Sequence, residues 1–251
     1  MRVTPAIVLA ATLPAAWLLA AEGPPKSQRP PEAEAAVPKE SPKSKDWGEP
    51  LVDHAEQLKR LDPVAHIWLD VKQKQVVLMG ETCQADYPLE FFATLHGREY
   101  EAIVVVDAKP RWVHAGLLAA GASPGHPASY EPTYGPPSGT EVAILVRWKG
   151  KDGRRQEARA QDWIRDVKTK KPLELNWVFA GSGITRDAET GRTVYLADSG
   201  DFISVANGTT ATLDLPIKSP SGLESRLFER AADRMPAKGT PVTILLRPKA
   251  R

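Results

Sequence analysis

"EAIVVVDA", residues 101–108, is the stretch on which the fold turns. Ile103, Val104, Val105 and Val106 run together without polar alternation, the pattern of a strand covered on both faces. "KPRWVHAGLLAAG" (109–121) follows at once. Pro110 suits the first turn of a helix. Val113, Leu117 and Leu118 keep a helical spacing, and Gly121 is a stop signal. A strand that runs straight into a helix points to a domain of mixed elements.

Working outward, "AHIWLDVKQKQVVLMG" (65–80) predicts a hairpin, with His66, Trp68 and Asp70 alternating against Ile67, Leu69 and Val71. "YPLEFFAT" (87–94), "EVAILVRW" (141–148), "NWVFAGS" (176–182), "TVYLA" (193–197), "DFISVAN" (201–207), "TATLDLP" (210–216) and "TPVTILLRP" (240–248) read as further strands. Asp152-Gly153 is a tight hairpin turn. Two more segments have helical spacing. Ala160, Trp163, Ile164 and Val167 form one, where a strand or a helix is expected to follow the turn. "SRLFERAADRM" (225–235) forms the other, with Leu227, Phe228, Ala231 and Ala232 on one side. The expected class is α+β: a single β-rich domain of short strands with two or three helices.

The chain has 251 residues, with 33 Lys and Arg against 31 Asp and Glu. That near-balance argues against a dedicated nucleic-acid binder, so no nucleic acid is expected as a partner. "MRVTPAIVLAATLPAAWLLAA" (1–21) reads as a signal peptide, or an uncleaved N-terminal anchor, since Leu18 and Leu19 sit where a small residue is preferred. Export to the periplasm, the cell envelope or the medium follows, with membrane contact only through this segment if it stays. Residues 22–50 hold seven prolines among Lys, Glu, Ala and Ser, the composition of a disordered linker. The folded domain is expected over 51–251.

Cys83 is the single cysteine. It excludes an internal disulfide and argues against an iron–sulfur cluster, and its simplest role is a small buried hydrophobe. No cofactor is predicted. The candidate chemical centre is His114, with Asp107 at the strand end and Glu101 along the strand. One histidine with two carboxylates is a possible metal set or general base. The competing expectation is a half-buried histidine hydrogen-bonded to backbone, because no spaced ligand pair accompanies it. Trp112, Arg165, Asp198 and Asp201 are the candidate binding residues. Asp187, Glu189, Asp198 and Asp201 lie in oxygen-rich loops of the kind that hold calcium, but without an EF-hand pattern. Ser182, in "AGSGI", lacks the glycines of a nucleophile elbow.

"EAIVVVDAKPRWVHAGLLAAGASPGHP", "RAQDWIRDVKTKKPLELNWVFAGSG", "YLADSGDFISVANGTTATLDLP" and the closing "GTPVTILLRP" resemble the YdjY-domain family, in the version found among exported planctomycete proteins. The resemblance covers about residues 65 to 248. Some relatives carry cysteine clusters of ferredoxin type, which the lone Cys83 does not match. Relatives often read Lys-x-His-Glu before the apolar strand. Here Arg98-Glu99-Tyr100-Glu101 stands there, which weakens a metal site built on that histidine. The first functional expectation is an exported cell-envelope binding or assembly module for an unknown envelope protein or polymer. The alternative is a metal-dependent or hydrolytic enzyme centred on His114. A redox accessory domain comes third.

Overall fold

The computed structural model describes residues 45–83, 87–221 and 226–249. The expected signal or anchor at 1–21, and the linker over 22–44, lie outside the described residues. In chain order the first strands are β1 (Leu58–Arg60), β2 (Ile67–Asp70), β3 (Gln75–Thr82), β4 (Phe91–Leu95) and β5 (Ala102–Val106), followed by the helix α1 (Pro110–Ala119). Next come β6 (Glu141–Lys149), β7 (Arg155–Arg159), β8 (Ile164–Asp166), β9 (Trp177–Phe179), β10 (Ile184–Arg186) and β11 (Thr193–Tyr195). The last are β12 (Ile203–Ser204), β13 (Leu213–Asp214), β14 (Phe228–Arg230) and β15 (Pro241–Pro248).

β5 sets the architecture. It pairs in parallel with β4 along one edge and antiparallel with β3 along the other, Gly80 facing Val106 and Thr82 facing Val104. The second pairing closes an eight-stranded ring in the order β3-β15-β6-β9-β13-β12-β4-β5. All five residues of β5 are buried, as the unbroken apolar run requires. β6 shows the alternation of a barrel wall instead: Val142, Ile144 and Val146 join the main core, while Arg147 faces outward to Glu157.

The α+β expectation with two or three helices is therefore corrected: the protein is a closed β-barrel, and α1 is the one α-helix among the described residues. Both other helical patterns lose to tertiary pairing. Ala160 and Trp163 are buried three residues apart, which is the repeat of a 3₁₀ turn, and the chain then extends into β8. In the expected helix 225–235, Phe228 and Arg230 pair across to Asp166 and Ile164 as β14, leaving only a 3₁₀ turn at Ala232–Arg234. Trp163 is the reason this rearrangement is favourable. It inserts beside Trp148 and Phe92, at ring separations of 5.3 and 6.3 Å, and Phe92 in turn reaches Trp177 at 5.7 Å. Fully buried aromatic rings of this size dominate core energetics.

The outer wall has its own apolar patch, formed by Trp68, Val77, Met79 and Leu245 and covered by Trp47. Within the 22–50 stretch expected to be an extended linker, residues 45–50 thus lie on the barrel. Trp47 Nε1 and Lys45 both reach Glu81, and just beyond, Leu51 donates its amide to Thr243 Oγ1.

The registers place two rims. β4, β5 and β9 all end on one rim, where α1 follows β5 and the 180–200 segment follows β9. β3 ends on the opposite rim, at Cys83. α1 lies close against the sheet because residue 116 is glycine: a Cβ there would sit 2.8 Å from both Leu61 and Val76. Among the described residues no helix is long and apolar enough to cross a membrane.

Candidate functional site

The expected centre of His114, Asp107 and Glu101 does not assemble. Asp107 accepts the His66 backbone amide at 2.9 Å and meets His66 Nδ1 at 2.7 Å. That imidazole sits between Trp47 and Trp68, so the pair fastens β2 and the N-terminal segment to the end of β5. Glu101 accepts Arg98 Nε at 2.6 Å. The same guanidinium reaches Asp201 at 2.7 Å and lies 4.3 Å over the Phe91 ring. Burial alone would lower the Arg98 pKa, but Glu101 and Asp201 outweigh it and raise it. Among the described residues no group of three His, Cys, Asp or Glu side chains is placed to hold a metal ion.

His114 belongs to a separate hub on the α1 rim. Its Nδ1 lies 3.0 Å from Tyr195 OH, and its ring meets Phe179 and Tyr195 edge-on at 4.8 and 5.3 Å. Tyr195 OH donates to the Gly181 carbonyl at 3.1 Å and lies 3.2 Å from Thr212 Oγ1. A phenol has one proton; with it on Gly181, the imidazole is the donor to Tyr195. Burial holds the His114 pKa below its ordinary value and pushes the Tyr195 phenol up to about 12, so the pair is neutral at physiological pH. Ser182 adopts a left-handed φ of 55°, and its hydroxyl accepts the Ala197 amide at 3.0 Å. The hub joins α1, the turn after β9, β11 and, through Thr212, the residue that leads into β13. Its groups satisfy one another.

The candidate binding residues are likewise engaged. Asp198 accepts the Arg111 backbone amide at 3.0 Å and pairs with its guanidinium. It supplies the negative charge that the first turn of α1 lacks, since Lys109 caps nothing with its side chain. Asp201 also accepts Thr210 Oγ1. Arg165 bridges Glu229 and Asp233 across the β8–β14 ribbon at 2.7 and 3.0 Å. Trp112 is half-buried, packs on the core and hydrogen-bonds to Asp62.

On the opposite rim an open cavity of about 470 Å³ is lined by Cys83, Arg230, Ala232 and residues 235–238. Cys83 is 5% exposed. Burial pushes its thiol up to about 12; Glu99 and Glu81 act the same way, and Arg230 and Lys238 oppose them. The thiol is therefore protonated, the opposite of an activated cysteine. Beyond Cys83, Tyr87 and Tyr100 stand edge-on at 5.5 Å, 65% and 47% exposed.

A family model for the YdjY domain matches residues 67–247. The chain belongs to the YdjY-domain family. No curated protein and no solved structure matches it. The match takes in both rims of the barrel, so the His114 hub and the cavity each lie inside the YdjY domain.

The YdjY cavity is the feature that sequence reasoning missed. Its floor comes from the end of β3 and its walls from a segment about 150 residues later, so the pairing of β3 with β15 is needed to bring them together. The one available signal was the run of cations Arg230, Arg234 and Lys238 around Met-Pro-Ala at 235–237.

Proposed function

We propose that this YdjY domain is an exported binding module of the cell envelope, and that it binds through the cavity beside Cys83. The observation that carries the proposal is the cavity itself. Its volume lies in the range of ligand sites, about 300–1,000 Å³, and it combines an apolar lining with two placed charges. Catalysis needs a nucleophile or base within reach of a partner. Here Cys83 is protonated, while His114, Asp107 and Glu101 are each tied to a different structural partner. Export rests on the composition of residues 1–21. The Pro-rich stretch after it supplies reach between an envelope attachment point and the barrel.

The test is co-sedimentation of the purified full chain with isolated envelopes, scored against soluble protein of the same cells. Saturable retention in the envelope pellet is the expected result. A chain that stays in the supernatant at every envelope concentration overturns the binding role.

A further inference from the structure

We propose that the Cys83 cavity takes a small oxyanion, carboxylate or phosphate, carried on a short apolar body. The inference rests on the cavity being the binding site proposed above and names what it binds.

Two cations line the cavity, Arg230 and Lys238, and no carboxylate does among the described lining residues. Both are held on fixed backbone. Arg230 is the last residue of β14, in register with Ile164 of β8. Lys238 lies in a turn pinned to the end of β3: Gly239 donates to the Thr82 carbonyl at 2.8 Å, and Thr240 donates to Thr82 Oγ1 at 3.1 Å. With the backbone fixed on both supports, the ordering cost of meeting an oxyanion falls on the side chains alone. Lys238 makes no ion pair among the described residues, so its charge is available to a ligand. The rest of the wall is Ala232, Met235 and Pro236, and methionine adapts to apolar groups of different shape. Cys83 contributes a neutral thiol at the floor; Glu99 and Glu81 act on it from outside the lining, with Glu81 paired to Lys45 and Glu99 hydrogen-bonded to His96. A neutral ligand would fill the apolar part and gain nothing from the Lys238 ammonium.

The full chain is melted with increasing octanoate, octyl phosphate or octanol, and protection is read as the rise in melting temperature. The expected result is that one or both anions protect the chain, while octanol at equal concentration does not. Octanoate acting alone identifies a carboxylate site, and octyl phosphate alone a phosphate site. Lys238→Glu should raise the half-protecting concentration about ten-fold and Lys238→Met about three-fold. Lys238 is exposed, so the melting curve of either variant should match the parent. Protection by octanol equal to that of the anions overturns the inference. So does no protection by any probe, or protection unchanged in Lys238→Glu. If these arms fail while envelope co-sedimentation persists, the oxyanion site is wrong and the binding role stands. If co-sedimentation fails as well, the binding role falls with it.

Discussion

Asp214 carries the strongest pH signature of any single side chain described. It is fully buried, and burial raises its carboxyl pKa to about 7, although Asn207 and the Leu215 and Gly208 amides stabilise the carboxylate. A carboxyl whose folded pKa is raised binds its proton more tightly in the folded state. Its stabilising contribution is complete below the unfolded value near 4 and is lost as pH rises through about 7. Thermal melts from pH 5.5 to 8.5 should therefore show Asp214→Asn gaining on the parent as pH rises; parallel curves would contradict this. Tyr195→Phe should cost about 1–3 kcal/mol in chemical unfolding, because Thr212 and His114 lose a buried partner. At this scale the sequence is legible only in part. His114 stands out as a residue with chemical potential, but Tyr195 lies 81 positions away, and Asp107 pairs with His66 across 41. Such pairs follow from barrel register, which no local pattern records.

Elements were readable where the chain had room to express a period. The eight-residue β3 and β15, the nine-residue β6 and the helix α1 appear in the sequence close to their observed bounds. β12 and β13 hold two residues each, so their apolar surroundings are visible but not their pairing. The two segments with helical spacing share a cause. Their apolar residues sit three or four apart because the chain turns there and drops Trp163 and Phe228 into the core, not because a helix continues. At the N-terminal side, the last residues of the expected linker, 45–50, lie on the barrel: Trp47 follows the Pro- and Lys-rich composition, and its indole closes the outer patch. Trp47→Ala should lower unfolding stability by about 3 kcal/mol, the usual cost of deleting a buried aromatic. An unchanged urea midpoint would show that this segment is not fastened to the barrel.

Across the whole molecule, closure of the barrel places everything else, and Gly80 is where closure is most exposed to test. A Cβ at Gly80 would lie 2.3 Å from the Val105 carbonyl oxygen, against backbone that cannot yield. Gly80→Ala should open the β3–β5 seam and speed amide exchange at Val104–Val106; unchanged protection there would contradict a closed ring. The apolar run 101–108 was legible as a strand covered on both faces, but that description fits a parallel sheet as well as a barrel seam. Closure then puts the His114 hub on one rim and the Cys83 cavity on the other, which lets the two be separated by mutation. The most direct measurement is envelope co-sedimentation of the full chain bearing Ala232→Trp, which fills the cavity, beside the chain bearing His114→Ala. Loss of retention in Ala232→Trp, with retention kept in a folded His114→Ala, is the predicted result. Retention kept in Ala232→Trp and lost in a folded His114→Ala would move the functional centre to the opposite rim and contradict the account.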